Sequence, residues 1–231
     1  MDIKKILFYV VIILVIYSLY KWLFRDPASS NLLDMGSGKE LKVIKSEKIK
    51  GNKDSTFFAY SFWIYVSSWE AGKEKIIIKK GGEGEYCPKI SLAENVNDLK
   101  ITLATLGTSG SSTNPQTKII KNIPLQKWTH IVVTTNNQSM DSYIDGKLVK
   151  TSLLLGSPKI YRDKDIHICP GGGYDGFIAK VRFYSRTLNP REVYELYKEG
   201  PAKGMFGNLL GKYKLKFAYY VDNKEEGNVT I

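Results

Sequence analysis

The chain has 231 residues, 43% of them apolar, and a formal net charge of +11 from 34 Lys and Arg against 23 Asp and Glu. That length holds one sandwich-sized domain with appendages. Two cysteines and two histidines are too few for a disulfide scaffold or a zinc cluster, and without helix-turn-helix, zinc-finger or RNA-recognition signatures no nucleic-acid partner is expected.

The lysines are spread along the chain, which suggests an anionic neighbour, lipid headgroups or an acidic protein face, or simply a solvated basic surface. Cys87 and Cys169 are each followed by proline, and either one disulfide or two buried thiols fits them.

Residues 6–24, ILFYVVIILVIYSLYKWLF, are apolar but for Ser18 and Lys21. As a helix they rise roughly 28 Å, close to the hydrocarbon thickness of a bilayer, so residues 1–25 are expected to form a membrane anchor. Ile6 and Phe24 bound the apolar run, and Tyr17, Tyr20 and Trp22 are its interfacial aromatics. A cleaved signal peptide is the competing reading; bulky residues at the far end favour an uncleaved anchor. Basic residues on both sides, Lys4 and Lys5 against Lys21, Arg25, Lys39 and Lys42, leave the topology open. The sequons Asn137-Gln138-Ser139 and Asn228-Val229-Thr230 would be used only after translocation, and chance accounts for them in an Asn-rich chain.

Residues 26–40, with Pro, Ser and Gly, read as a linker lifting the domain off the bilayer. Lysine-rich residues 41–49 suggest an edge strand. Residues 57–66 alternate Phe58, Tyr60, Phe62, Ile64 and Val66 with Phe57, Trp63 and Tyr65, the pattern of a central strand covered on both faces. Strands follow at 75–80, 89–92 and 99–106, the last two as a hairpin turning through Asn95, Asn97 and Asp98. Residues 107–116, GTSGSSTNPQ, have the composition of an exposed loop.

The segment 128–151 organises the fold: strands at 131–135 and 140–144, a third from Lys147, and Asp145-Gly146 as a two-residue turn whose central positions need positive φ. Strands at 165–169 and 177–184 flank Pro170-Gly171-Gly172-Gly173, which lacks the Gly-Lys-Ser/Thr of a phosphate loop and reads as a turn. Asn189-Pro190-Arg191-Glu192 opens a helix with a capping box, Val193, Leu196 and Tyr197 form its buried stripe, and Gly200-Pro201 ends it. Residues 201–231 form a basic extension with an apolar patch at 205–210 and an alternating segment at 212–217, expected to add an edge strand to the domain.

Trp128-x-His130, a strand, then Tyr143-x-Asp145-Gly146-Lys147-Leu148-Val149, together with residues 176–188 and the helix after them, resembles the laminin-G-like branch of the concanavalin A-like lectin and glucanase superfamily. The resemblance covers about 57–200 and implies an all-β fold, a two-sheet antiparallel jelly-roll sandwich over 41–200, here with an N-terminal transmembrane helix and a short C-terminal helix. His130 falls in the motif as a structural histidine, with ligand or metal contact as the alternative. Many relatives bind calcium in loops at one edge of the sandwich, with an acidic pair often standing where this chain has Ala179-Lys180. Asp175, Asn95 and Asp98 are the remaining oxygen donors for such a site, a role in turns being the better reading of each; no other cofactor is expected.

No Glu-x-Asp-x-x-Glu run, no Gly-x-Ser-x-Gly elbow and no local cysteine-protease signature is present, and Asp163 with Asp165 sits among Arg162 and Lys164 as a solvated turn, so catalysis is not expected. The expected role is a single-pass, membrane-anchored structural module docking a protein assembly to a bilayer. Architectural analogy points to the minor capsid proteins of large icosahedral DNA viruses, linking inner membrane and capsid lattice. A surface lectin binding carbohydrate through loop residues is the alternative.

Overall fold

Alternation of apolar and polar residues along the strands is realised, in the computed structural model, as two six-stranded antiparallel sheets packed face to face. The structure describes residues 3–23, 26–51, 55–82, 84–107, 113–201, 216–221 and 224–230; residues 3–7, 10, 20–23, 113–114 and those beyond 215 are described by backbone alone. The first sheet runs β1 (Ser29–Ser37), β12 (Gly176–Tyr184), β3 (Phe58–Val66), β8 (Trp128–Asn136), β9 (Ser139–Ile144) and β10 (Lys147–Leu153). The second runs β2 (Lys42–Ile44), β11 (Ile166–Ile168), β4 (Lys75–Gly81), β5 (Tyr86–Leu92), β6 (Leu99–Leu106) and β7 (Thr113–Ile120).

Between the sheets, Tyr60, Phe62 and Ile64 of β3 and Ile131 and Val133 of β8 meet Ile77, Ile90, Ile101 and Leu103 in one core of fully buried side chains. The outer face of β3 is covered as well. Helix α2 (Pro190–Lys198) lies over it, and Ala59, Val132, Tyr143 and Tyr184 pack with Leu188 and Val193 in a second cluster. Strand β3 is therefore buried along almost its whole length, as the double alternation predicts. The Asp145-Gly146 turn joins β9 to β10 with φ of 49° and 76°, the two left-handed residues of a type I′ turn. At α2 the capping box is closed in both directions, Asn189 Oδ1 accepting from Glu192 N and Glu192 Oε2 from Asn189 N, each at 2.9 Å.

Several expectations are corrected. Most of the 26–40 linker is strand: β1 pairs with β12 from Ser29↔Tyr184 to Ser37↔Phe177, because Leu32 reaches the core and the β12 ladder satisfies its backbone. The 41–49 strand shrinks to β2 and a 3₁₀ turn, Ser46–Lys48, where the Asp165 carboxylate accepts from Ser46 N and Lys45 Nζ and turns the chain. The 107–116 loop gives up its last residues to β7, an edge strand where Pro115 costs no internal ladder bond; residues 108–112 lie outside the described residues. Of the alternating segment at 212–217, residues 212–215 lie outside the described residues; from Lys216 on, β13 (Lys216–Val221) pairs with β14 (Lys224–Thr230) in a separate two-stranded sheet. The apolar patch at 205–210 lies outside the described residues. Both cysteines are buried free thiols.

Helix α1 (Ile3–Leu23) has 21 residues, and its described side chains, at 8–9 and 11–19, are exposed. On those described residues alone, no helix is long and apolar enough to cross a membrane. Of the expected membrane residues, Tyr17 is exposed, the side chains of Ile6, Tyr20 and Trp22 are not described, and Phe24 lies outside the described residues.

The loops gather at two poles. Asp26 to Ala28, the 3₁₀ turn at 46–48 and the segments 157–165 and 185–189 share the pole that follows α1. The turns at 38–40, 67–74, 93–98, 121–127 and 171–175 share the other.

Candidate functional site

The motif residues carry the outer face of the first sheet. Asp145 Oδ1 accepts from His130 N at 2.9 Å, its other oxygen holds Lys127 Nζ at 3.1 Å, and Asp145 N donates to His130 O at 2.9 Å, so the turn is bolted to the strand beside it. A Cβ on Gly146 would meet Tyr197 at 3.1 Å and Tyr194 at 3.2 Å; the glycine allows α2 to approach. Tyr143 is buried beneath the helix. Trp63, His130 and Tyr197 form a cluster of three rings in mutual contact, with Trp63 4.9 Å from His130 and 5.7 Å from Tyr197, stacked at 17°, and His130 6.2 Å from Tyr197.

His130 Nε2 lies 2.9 Å from Ser61 Oγ, the spacing of a nucleophile and its base. The pair lacks the rest of that machinery. Ser61 is 3% exposed, and the buried Nδ1 of His130 has no hydrogen-bond partner to fix the ring's tautomer. Burial, outweighing the Asp145 charge, holds the imidazole down at about 4, so it is neutral at physiological pH. Buried and neutral, the ring packs on Trp63 and its Nε2 is engaged with Ser61.

The three calcium candidates are each engaged in turn contacts of the far pole, Asn95 and Asp98 from one and the same turn. Asp175 binds Lys39 at 3.1 Å and the Ser68 hydroxyl, Asn95 Oδ1 accepts from Gly72 N, and Asp98 Oδ1 accepts from Asn122 N, both at 3.0 Å. Among the described residues no three acidic, histidine or cysteine side chains are grouped as a metal site. Lys180 donates to Glu199 O at 3.1 Å, and Arg182 forks onto the Glu199 carboxylate at 2.6 and 3.1 Å. The two cations clamp the C-terminus of α2. At the other end of the helix Arg186 bridges Asp26 at 2.7 Å and Glu192 at 2.8 Å. These pairs line a groove of about 370 Å³ and neutralise one another across it.

Two surfaces remain open. One pair beyond Trp63 and past the end of α2, Phe177, Tyr65 and Trp128 stand at one level on β12, β3 and β8, with ring centroids 6.5 and 5.7 Å apart and Phe177 50% exposed. The second is β10, an edge strand on which Leu148 and Val149 are each 52% exposed and Leu153 78%, followed by Leu155 at 74%. Neither was singled out as a site from sequence. Their signals were the aromatics flanking the core alternation and the run Leu153-Leu154-Leu155.

Residues 43–194 match the family described as the concanavalin A-like lectin/glucanases superfamily. Among solved structures the chain is similar to the botulinum neurotoxin serotype G binding domain (18% identity, TM-score 0.52, 74% of this chain and 50% of that one). It is similar also to the serotype D binding domain (15%, 0.55, 75% and 51%) and to the binding domain of botulinum neurotoxin DC in complex with rat synaptotagmin II (17%, 0.53, 74% and 45%). The chain spans about half the length of these structures, and at such identity the likeness is one of fold.

Proposed function

Since the chain belongs to the concanavalin A-like lectin/glucanase superfamily, we propose that it is a non-enzymatic, membrane-anchored interaction module: α1 enters a bilayer as a single-pass anchor, and the sandwich docks a protein assembly such as a capsid lattice. The apolar edge of β10 carries this reading. Exposed Leu148, Val149 and Leu153, with Leu155 just after them, line an edge strand paired on one side alone, a surface that a soluble domain ordinarily charges or covers. Lys147 and Lys150 lie on the same strand, so lysine-directed cross-linking with mass spectrometry on native membranes or particles tests it directly. Abundant links from these two lysines to one repeating protein are expected. Links from every other lysine but none from these would overturn the β10 assignment, and no protein links at all would overturn the scaffold role.

The aromatic row favours a second reading, a lectin, because a half-exposed Phe177 beside the partly buried Tyr65 and Trp128 offers ring surface for stacking against a sugar face. In the complex with rat synaptotagmin II a structurally similar domain meets a protein, in line with the first reading. Saturable binding on a glycan array, lost in Trp128→Ala, would promote the lectin.

A further inference from the structure

The passage from α1 to the sandwich is short. Helix α1 ends at Leu23 and β1 begins at Ser29. Asp26 is already part of the domain: its carboxylate accepts from Arg186 at 2.7 Å and from Ala28 N at 2.9 Å, and its carbonyl accepts from Ser29 N at 3.2 Å. From Leu23 to Asp26 the chain can reach roughly 11 Å at 3.8 Å per Cα step. A domain tethered so closely cannot stand clear of the surface its anchor enters.

The pole that carries Asp26 suits a lipid surface. Lys50 N donates to Ser30 Oγ at 2.7 Å, which sets the 45–51 segment beside the start of β1. Lys48 and Lys50 are exposed there and have no acidic partner among the described residues, and Phe57, 42% exposed, precedes β3 on the same pole. At the opposite pole exposed Lys39 is paired with Asp175 and Glu70, and Lys127 with Asp145. Exposed Lys73 and Lys121 at that pole have no acidic partner among the described residues either, so the orientation rests first on the short tether and on the exposed Lys48, Lys50 and Phe57 that it brings toward the surface.

We propose that this pole rests on the headgroups of the bilayer that α1 enters, with Lys48 and Lys50 against anionic lipid and Phe57 in the interfacial layer. The inference rests on the reading of α1 as an anchor and adds an orientation: the far pole, with the aromatic row next to it, points away from the membrane.

The test uses the full chain in vesicles of phosphatidylcholine with or without phosphatidylserine, a fluorophore on Glu47→Cys or Lys121→Cys, and a headgroup-bound quencher; the native thiols are buried. The label at 47 is expected to lose most of its emission and the label at 121 little, the difference growing with phosphatidylserine and disappearing in Lys48→Glu/Lys50→Glu. Equal quenching at both positions, or no effect of lipid charge, in a chain that resists alkaline carbonate extraction would overturn the orientation alone. A chain released by carbonate would overturn the anchor and the orientation with it.

Discussion

Gly146 is where backbone and packing demands coincide. Its φ of 76° belongs to the left-handed region, and a methyl group there would press on Tyr194 and Tyr197 at 3.1–3.2 Å. Gly146→Ala is expected to cost about 1–2 kcal/mol in urea unfolding and to loosen α2. Tyr60 presents the opposite case. Its hydroxyl is buried without a hydrogen-bond partner beside a cavity of about 20 Å³, room for roughly one water, so Tyr60→Phe is expected to leave stability unchanged or raise it by about 1 kcal/mol. Where a residue's task is local, the sequence already displays it. Asp145-Gly146 and Asn189 to Glu192 announce their turn and cap because the partners lie within three residues. Nothing local tells that Tyr60 lacks a partner, since that depends on what the opposite sheet brings to it.

At the scale of elements, α2 is a clamped lid rather than a free helix. Its apolar stripe covers β3 and β8, Arg186 ties its N-terminus to Asp26, and Lys180 with Arg182 grips Glu199 at its end. Burial alone would raise the Glu199 carboxyl; the Arg182 hydrogen bonds and the neighbouring charges reverse this and hold it below its usual range. Glu199→Ala leaves Arg182 short of its partner and is expected to destabilise the fold by about 1–3 kcal/mol, with faster amide exchange over 190–199 than elsewhere. Helix and hairpin were legible before the structure because their signals are periodic and capped. Strand β1 was not: Pro27, Ser29, Ser30 and Gly36 have a linker's composition, and the residues that make it a strand are on β12. The aromatic row is hidden for the same reason. Tyr65, Trp128 and Phe177 are each visible in the sequence, and only the register of three strands sets them level.

For the molecule as a whole, stability toward acid draws on a buried histidine in the first sheet and a partly buried carboxylate just before β4 of the second. His130 is held at about 4, below the value of a free imidazole, so between about pH 6.5 and 4 the unfolded chain binds a proton the folded one refuses, and stability falls with pH over that window. Glu74 is held down at about 2: burial pushes it up, but Lys89, Ser91 and Lys100 outweigh that, and its contribution is present above about 4.5 and lost as pH falls toward 2. Each group sets a slope of at most ~1.4 kcal/mol per pH unit, lowered for Glu74 by its remaining contact with solvent. Urea midpoints measured from pH 7 to 2.5 should fall in these two overlapping stages. In His130→Phe the upper stage should vanish while the lower persists.

The pairing of β1 with β12 also sets a timetable. Ser29 meets Tyr184 across the ladder, so the first strand of the domain waits for nearly the last, and closing so distant a contact is slow. During synthesis the apolar N-terminal segment can engage a membrane while β3, which needs β12 on one side and β8 on the other, is still unpartnered. On the proposed reading of α1 as an anchor, the sandwich would be completed beside the bilayer, with β1, the strand next to α1, secured late.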